Sequence, residues 1–445
     1  MFKTFVNALK IKDIRTKLLF TFLCLIIIRI GSQLPVPGVD SASFANLLKS
    51  QLEDTSFLTM LAGGSFEQMS IFALGIGPYI TSSIIMQLLT IAIPKLEEMQ
   101  KDGETGRKRI AEITRYVTIG LAIFEAIAIT IGFNNQNWIT GSNKVLASIV
   151  IVVALTGGSA FLMWLGEQIT EKGVGNGISV ILLINITAGF PNDFYGLFEQ
   201  FVVKEDNSVV NAIIGAVVIV AVVVALTVLV ILLQDAQRRI SVQYAKKMQG
   251  RRMVGGQATF IPLRVNTAGV IPVIFASSLL QTPIIITSLF KGDAATVTTW
   301  DKILMYLNQR YWCRFTTPGF RIYSIGLVVY LLLLVAFAYF YTAITFNPVE
   351  VSNNLKKQGG FIPGIRPGRP TTEYLTSVLN NIVLIGAVGL AIVAFIPILF
   401  TGLFDISIGF GGTSIIIVVG VILEIIKAIE TMMIERHYKG FLSED

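Results

Sequence analysis

Long apolar runs alternate with short polar loops along the whole chain, and the runs have the length that a bilayer's hydrocarbon core demands, about 20 residues in a helix. The pattern predicts ten spans, at about 18–34, 71–93, 113–133, 145–165, 177–188, 209–233, 266–285, 325–344, 374–400 and 413–433. Ahead of them Phe2, Phe5, Val6 and Leu9 recur at helical spacing opposite Lys3, Asn7 and Lys10, which predicts an amphipathic helix on the membrane surface within 1–17. Between the first two spans, 56–69 (SFLTMLAGGSFEQM) is apolar but too short to cross. Either it dips among other helices, since irregular backbone survives at membrane depth only against protein or trapped water, or it is a surface loop helix. Spacing leaves both readings open.

Two spans answer each other. The stretch 71–93, IFALGIGPYITSSIIMQLLTIAI, holds no charge and is interrupted by Gly75, Gly77 and Pro78, which should loosen and kink it. Set against 266–285, NTAGVIPVIFASSLLQTPII, Gly75 matches Gly269, Pro78 matches Pro272, Ile80 matches Ile274, Ser83 matches Ser277 and Gln87 matches Gln281. Span 2 runs inward and span 7 outward, so the halves are inverted, with spans 1 to 5 repeating as 6 to 10. Gly177-Ile178-Ser179 opening span 5 then matches Gly412-Thr413-Ser414 opening span 10, and Leu182 matches Ile417. The expected organisation is a first half at 18–190, a hinge linker at 191–208, a second half at 209–433 and a tail at 434–445. Interrupted spans at corresponding places in two halves point to a transmembrane pathway.

Composition narrows the class. Hydrophobic residues make up 53% and charged residues 14% of the 445, and mean hydropathy is +0.71, which excludes a water-soluble protein. The net charge of +7 gathers in the loops 94–109, 234–264 and 346–372, placing those loops and both termini in the cytoplasm. One outer stretch, 308–324 (NQRYWCRFTTPGFRIYS) around Tyr311, is basic and aromatic and runs against this pattern. The run at 17–38 lacks a small-residue cleavage site and reads as a retained span. Two cysteines and one histidine, His437 in the tail, supply neither a disulfide framework nor a metal site. No phosphate-binding lysine follows a glycine-rich loop and no paired acids lie in the membrane, so neither enzyme chemistry nor a cofactor is expected. Any work must be powered by a partner.

The intramembrane polar residues are few. Arg29, near the outer end of span 1, can snorkel to the interface. Glu125 in span 3 is either an ion site or an acid facing a neighbouring helix. Gln87, Gln281 and Asn266 on the twin spans can join helices by hydrogen bonds of roughly 1 kcal/mol, as a releasable latch or as ordinary helix glue. Ile76 and Ile80 are four apart, as are Ile178 and Leu182, so each pair lies on one helix face. Joined by Ile274 and Ile417, these side chains either pack like any membrane-protein core or form an aliphatic ring that excludes water by dewetting and yields to an object of any sequence. Three functions remain open: a conduit for polypeptide, a secondary transporter with Glu125 as its coupling group, and a scaffold without a pore.

Four tracts resemble the SecY family over essentially the whole chain: SIFALGIGPYITSSIIMQLL at 70–89, EKGVGNGIS at 171–179, AGVIPVIFASS at 268–278 and GGFIPGIRPGRPT at 359–371. The resemblance implies an all-α polytopic protein, ten transmembrane helices in two inverted halves around a central pore, with a lateral gate between spans 2 and 7. It implies a re-entrant plug helix at 56–67, including Phe57, Leu58, Met60, Leu61, Ala62, Gly63 and Gly64. It makes Ile76, Ile80, Ile178, Leu182, Ile274 and Ile417 the pore ring, and Gln87 and Asn266, with Gln281, the polar gate residues. Arg366 and the loop residues Lys246, Lys247, Arg251 and Arg252 would dock partners. The implied partners are the SecE and SecG subunits, the SecA ATPase, the ribosome, signal peptides and unfolded secretory proteins, within a lipid bilayer and with no DNA. The implied location is the bacterial plasma membrane, where the chain would be a passive protein-conducting channel.

Overall fold

The computed structural model describes residues 9–41, 43–45, 62–140, 143–198, 209–244, 247–249, 252–254, 258–290, 299–308, 313–314, 321–323, 325–404 and 412–442. Of the sequence expectations, residues 1–8 of the amphipathic helix, plug residues Phe57, Leu58, Met60 and Leu61, loop residues Lys246 and Arg251, and Tyr311 lie outside the described residues. Among the described residues, a helix answers each expected span: α1 Lys12–Gly31, α2 Gly77–Ala92, α4 Glu104–Asn135, α5 Lys144–Lys172, α6 Gly177–Phe198, α7 Val209–Asp235, α8 Ile271–Phe290, α10 Ile325–Thr345, α12 Arg369–Phe404 and α13 Gly412–Leu442. Four of these, in spans 3, 4, 8 and 9, are long and apolar enough to cross on their own. Shorter helices α3 Pro94–Lys101, α9 Thr299–Leu307 and α11 Pro348–Lys357 lie between spans.

Two boundaries differ from the sequence reading. Pro78 and Pro272 do not interrupt the helices of spans 2 and 7. Residues 71–76 are a chain of turns and α2 begins at Gly77, with Pro78 in its first turn, where a missing N–H costs nothing. In the same way α8 begins at Ile271 with Pro272 as its second residue. Span 5 is longer than expected, because α6 continues through Pro191 to Phe198, so 191–198 of the expected hinge linker are helix.

The chain forms two compact units, one of 1–200, 278–308 and 421–445, the other of 201–277 and 309–420. In the first unit, α2 turns by 101° into α3 at Pro94, and α4 and α5 pack side by side. Arg115 of α4 donates through Nε to Glu167 of α5, at 2.5 Å. An apolar cluster gathers Phe44, Phe66, Met69, Phe133, Ile139 and Leu155. Phe44 makes edge-on contacts with Phe66, Phe133 and Trp138 at centroid separations of 5.4, 5.3 and 5.8 Å. Such aromatic pairs add roughly 1 kcal/mol each beyond their burial. Ile14, Val174 and Ile429 form a second cluster joining α1, the turn before α6 and the second half of α13.

The second unit adds strands that the helical reading omits. Strand β1, Gln237–Tyr244, pairs antiparallel with β4, Ala258–Arg264, and through Gln243 and Tyr244 with β7, Gly360–Phe361. The two long basic loops, 234–264 and 346–372, are thereby one folded body. Ile240 and Val242 of β1 face Leu263, Leu355, Ile362, Leu375 and Ile382 in its core. Between β1 and β4 the short strands β2, Lys247–Gln249, and β3, Arg252–Val254, pair as a hairpin. In 308–324, the stretch that broke the charge pattern, β5, Cys313–Arg314, pairs with β6, Arg321–Tyr323.

Candidate functional site

The twin spans begin alike. Gly75 and Gly269 both take positive φ, 57° and 65°, a region that favours glycine over any residue with a Cβ. Each stands two residues before its helix starts. The first helical turn closes with Ile80 N–H on the Ile76 carbonyl at 3.0 Å in one and with Ile274 N–H on the Val270 carbonyl at 3.3 Å in the other. A left-handed glycine followed by a helix with proline in its first turn is thus one device used twice. It sets Ile80 and Ile274 at equivalent positions, each one turn inside its own helix.

Within the first unit Ile76, Ile80 and Leu182 are buried, while Ile178 is half-buried. The Ile178 side chain packs on Gly166 of α5, where its Cδ1 tip would stand 2.6 Å from an added Cβ. The face carrying Ile178 and Leu182 continues to Ile186, which is 1% exposed. The sequence reading stopped one turn short of it, although the spacing of four was already the signal. Within the second unit Ile274 and Ile417 are also buried, Ile417 completely.

The segment expected to be the plug is described from Ala62 onward. Ala62 is buried, and Gly63 and Gly64 take positive φ of 65° and 81°. Residues 63–69 form a series of turns whose Phe66 and Met69, with Ala62 before them, enter the apolar cluster. Arg29 does not merely snorkel: its Nη1 donates to the Gly63 carbonyl at 3.1 Å.

Of the residues expected at the gate, Gln87 and Asn266 are engaged within their own elements. Gln87 Nε2 donates to Ser83 Oγ at 3.3 Å, and the Gln87 carbonyl accepts from Thr90 Oγ1 at 2.7 Å. Asn266 Nδ2 donates to the Gly269 carbonyl at 3.0 Å, bracing the turn that precedes α8. Gln87 Oε1 and Gln281 Oε1, at repeat-related positions, are both buried without a hydrogen bond among the described residues. A buried amide oxygen left unpaired costs roughly 1–3 kcal/mol.

Arg366 is exposed on a loop held from beneath. Its carbonyl accepts from Thr371 Oγ1 at 2.9 Å, and Ser352 Oγ donates to the Gly368 carbonyl at 2.9 Å. Ile365 N–H reaches the Ile362 carbonyl at 3.0 Å, and Ile362 anchors the loop in the core beneath β1. Asn347 caps α11 by accepting from Val349 N–H and Glu350 N–H at 3.1 and 3.3 Å. The backbone around Arg366 is fixed while its guanidinium is offered outward. Lys247 and Arg252 sit on the paired strands β2 and β3 of the neighbouring loop.

A family model described as SecY matches residues 70–426. The chain is 43% identical over 450 residues to the Protein translocase subunit SecY of Halalkalibacterium halodurans, spanning 99% of this chain and 100% of that protein. It is 42% identical over 448 residues to the protein of the same name from Bacillus subtilis (strain 168), again with 99% and 100% covered. Among solved structures it resembles one described as "The structure of a protein conducting channel", with a TM-score of 0.60, 17% identity, and 94% of this chain and 92% of that one covered. It also resembles "Sec61 in the Canine ribosome-channel complex from the endoplasmic reticulum", with a TM-score of 0.56, 17% identity and the same 94% and 92% coverage. At such identities the structural likeness establishes the fold.

Proposed function

Since the chain belongs to the SecY family of protein translocase subunits, we propose that it conducts unfolded secretory polypeptides across the bacterial plasma membrane and releases membrane-protein segments sideways into lipid. One observation carries the mechanism: the same glycine and proline device sets Ile80 and Ile274 one turn inside two repeat-related helices. Aliphatic side chains there, with Ile76, Ile178, Leu182 and Ile417, would close around an empty channel by excluding water. Branched hydrocarbon offers no fixed donor or acceptor, so a passing chain of any sequence meets neither a binding site nor an unpaired polar group. Ions meet a dewetted constriction. The segment of 56–67 would stop the outer side until a client displaces it.

Lateral release would use spans 2 and 7. Gln87 and Gln281 carry buried amide oxygens unpaired among the described residues, groups that gain by meeting a donor on an entering signal peptide or a neighbouring helix. The energy comes from outside the chain. Arg366, exposed on its braced loop, and Lys246, Lys247, Arg251 and Arg252 on the adjacent one would receive the SecA ATPase or the ribosome, with SecE and SecG as companion subunits. That assigns both basic loops and both termini to the cytoplasm, as the placement of lysine and arginine expects.

The test is crosslinking. Cysteines replacing Ile80 and Ile274, in a channel holding a stalled secretory chain, should both form disulfides with a cysteine at the matching depth of that chain. Failure at both positions, with crosslinks instead from lipid-facing sites such as Ile385, which is 61% exposed, would refute the assigned path.

A further inference from the structure

Arg29 lies in the last turn of α1, half-buried, with its guanidinium turned to the Gly63 carbonyl at 3.1 Å. Gly63 is bare for a reason. Its φ is +65°, and a Cβ there would stand 2.8 Å from Cα of Asn185 in α6. Gly63 is therefore set with bare backbone against α6, its carbonyl taken up by a cation from α1. The other end of the same turn is fastened differently. Val36 N–H donates to the Met69 carbonyl and Ile71 N–H to the Leu34 carbonyl, both at 2.9 Å, and Phe66 and Met69 are packed in the aromatic cluster.

The two fastenings differ in how they can be undone. Releasing 69–71 breaks paired backbone and an apolar core together. At Gly63 itself, between Ala62 in the apolar cluster and the turn that follows, no side chain of its own holds the backbone and the one charged donor from α1 does, and a charge at this depth is costly unless it is engaged. Ser32 Oγ, donating to the Arg29 carbonyl at 2.8 Å, and the ring of Phe72, seated where a Cβ of Gly31 would be, fix the end of α1 from which Arg29 reaches.

We infer that Arg29 is the positioning residue of the outer seal: its hydrogen bond to Gly63 clamps the root of the plug segment and sets how strong a signal is needed to open the channel. The inference rests on the channel reading above.

The purified channel in planar bilayers and proteoliposomes tests it, with resting ion conductance and the export of a substrate with a weakened signal peptide, relative to the intact substrate, as readouts. Removing a hydrogen bond to a charged group shifts an equilibrium by about tenfold or more, so Arg29→Ala should raise both readouts by about that factor. Arg29→Lys, which keeps a cationic donor, should return most of the discrimination, whereas a general loss of folding would not be rescued this way. Resting conductance and signal discrimination in Arg29→Ala equal to the parent's would overturn the inference, as would Arg29→Lys behaving like Arg29→Ala. Ile80→Asn in the same bilayers separates the two levels. If Ile80→Asn leaks and Arg29→Ala does not, the clamp is wrong and the channel reading stands; if neither leaks, both fall.

Discussion

Gly158 of α5 lies directly against the carbonyl oxygen of Ile71, leaving no room for a Cβ. Its counterpart in the other half is Gly386 of α12, which lies the same way against the carbonyl of Val265. Ile71 and Val265 occupy equivalent places in the register that pairs Gly75 with Gly269. Each half thus seats the approach to its interrupted span on a glycine of its fourth helix, and the two contacts are the repeat expressed as packing.

That contact makes a sharp prediction, because the residue beside Gly158 is also glycine. A Cβ on Gly157 would meet nothing within 4 Å, whereas one on Gly158 would overlap a backbone carbonyl that cannot rotate away. Gly157→Ala should be neutral or stabilising, by about 0.5–1 kcal/mol from helix propensity. Gly158→Ala should cost about 1–3 kcal/mol as overpacking. Thermal unfolding of the two variants in detergent checks the pair, and equal melting temperatures would contradict the contact.

The spans and the repeat were legible because run length and matched residues are one-dimensional signals. The start of spans 2 and 7 was misjudged since Gly75 and Pro78 look like interruptions of a helix, when Gly75 is the left-handed turn before it and Pro78 lies in its first turn. Strand β1 did carry a signal. In QRRISVQY, Ile240 and Val242 are buried and Arg239, Ser241 and Gln243 exposed, a period of two. Its pairing with Gly360 was not recoverable, because nothing in a two-residue strand more than a hundred residues away declares a partner. The Arg29 bond to Gly63 was hidden for a similar reason: an intramembrane arginine announces a need for a partner but not which carbonyl meets it.

Ile274 is buried one turn inside α8. Replacing it with asparagine places an amide where hydrocarbon excludes water, and a dewetted constriction is sensitive to a single polar group. Ile274→Asn should raise resting ion conductance by about tenfold and admit substrates with weakened signals, while Ile274→Val should do neither. Single-channel recording checks it; an unaltered conductance in Ile274→Asn would remove Ile274 from the ring.

Arg366 can be altered without disturbing its loop, because the surrounding backbone is held through the Arg366 carbonyl, Ser352 and Ile362 rather than through the guanidinium. Charge reversal at a docking contact costs several kcal/mol. Arg366→Glu should therefore lower SecA-driven export by about a hundredfold or more, with membrane levels and melting temperature as in the parent. Undiminished motor-driven export in that variant would dismiss the docking role.

Glu125 decides between channel and transporter. It is the one acid in the apolar stretch 113–133, whose only other charge, Arg115, is already paired with Glu167 at 2.5 Å. A transporter couples transport to an ion through groups near the midplane that gain and lose charge in turn, and removing the carboxylate would stop the cycle. A polypeptide channel driven by a partner has no such step. Glu125→Gln keeps the shape and the hydrogen-bonding capacity of the side chain and discards only its ionisation. Export by this variant should lie within about twofold of the parent, the range of substitutions that disturb no packing or ion pair, and its dependence on pH should be unchanged. A collapse of export, or an export rate that loses its pH dependence, would mean that Glu125 carries a proton or an ion with the substrate.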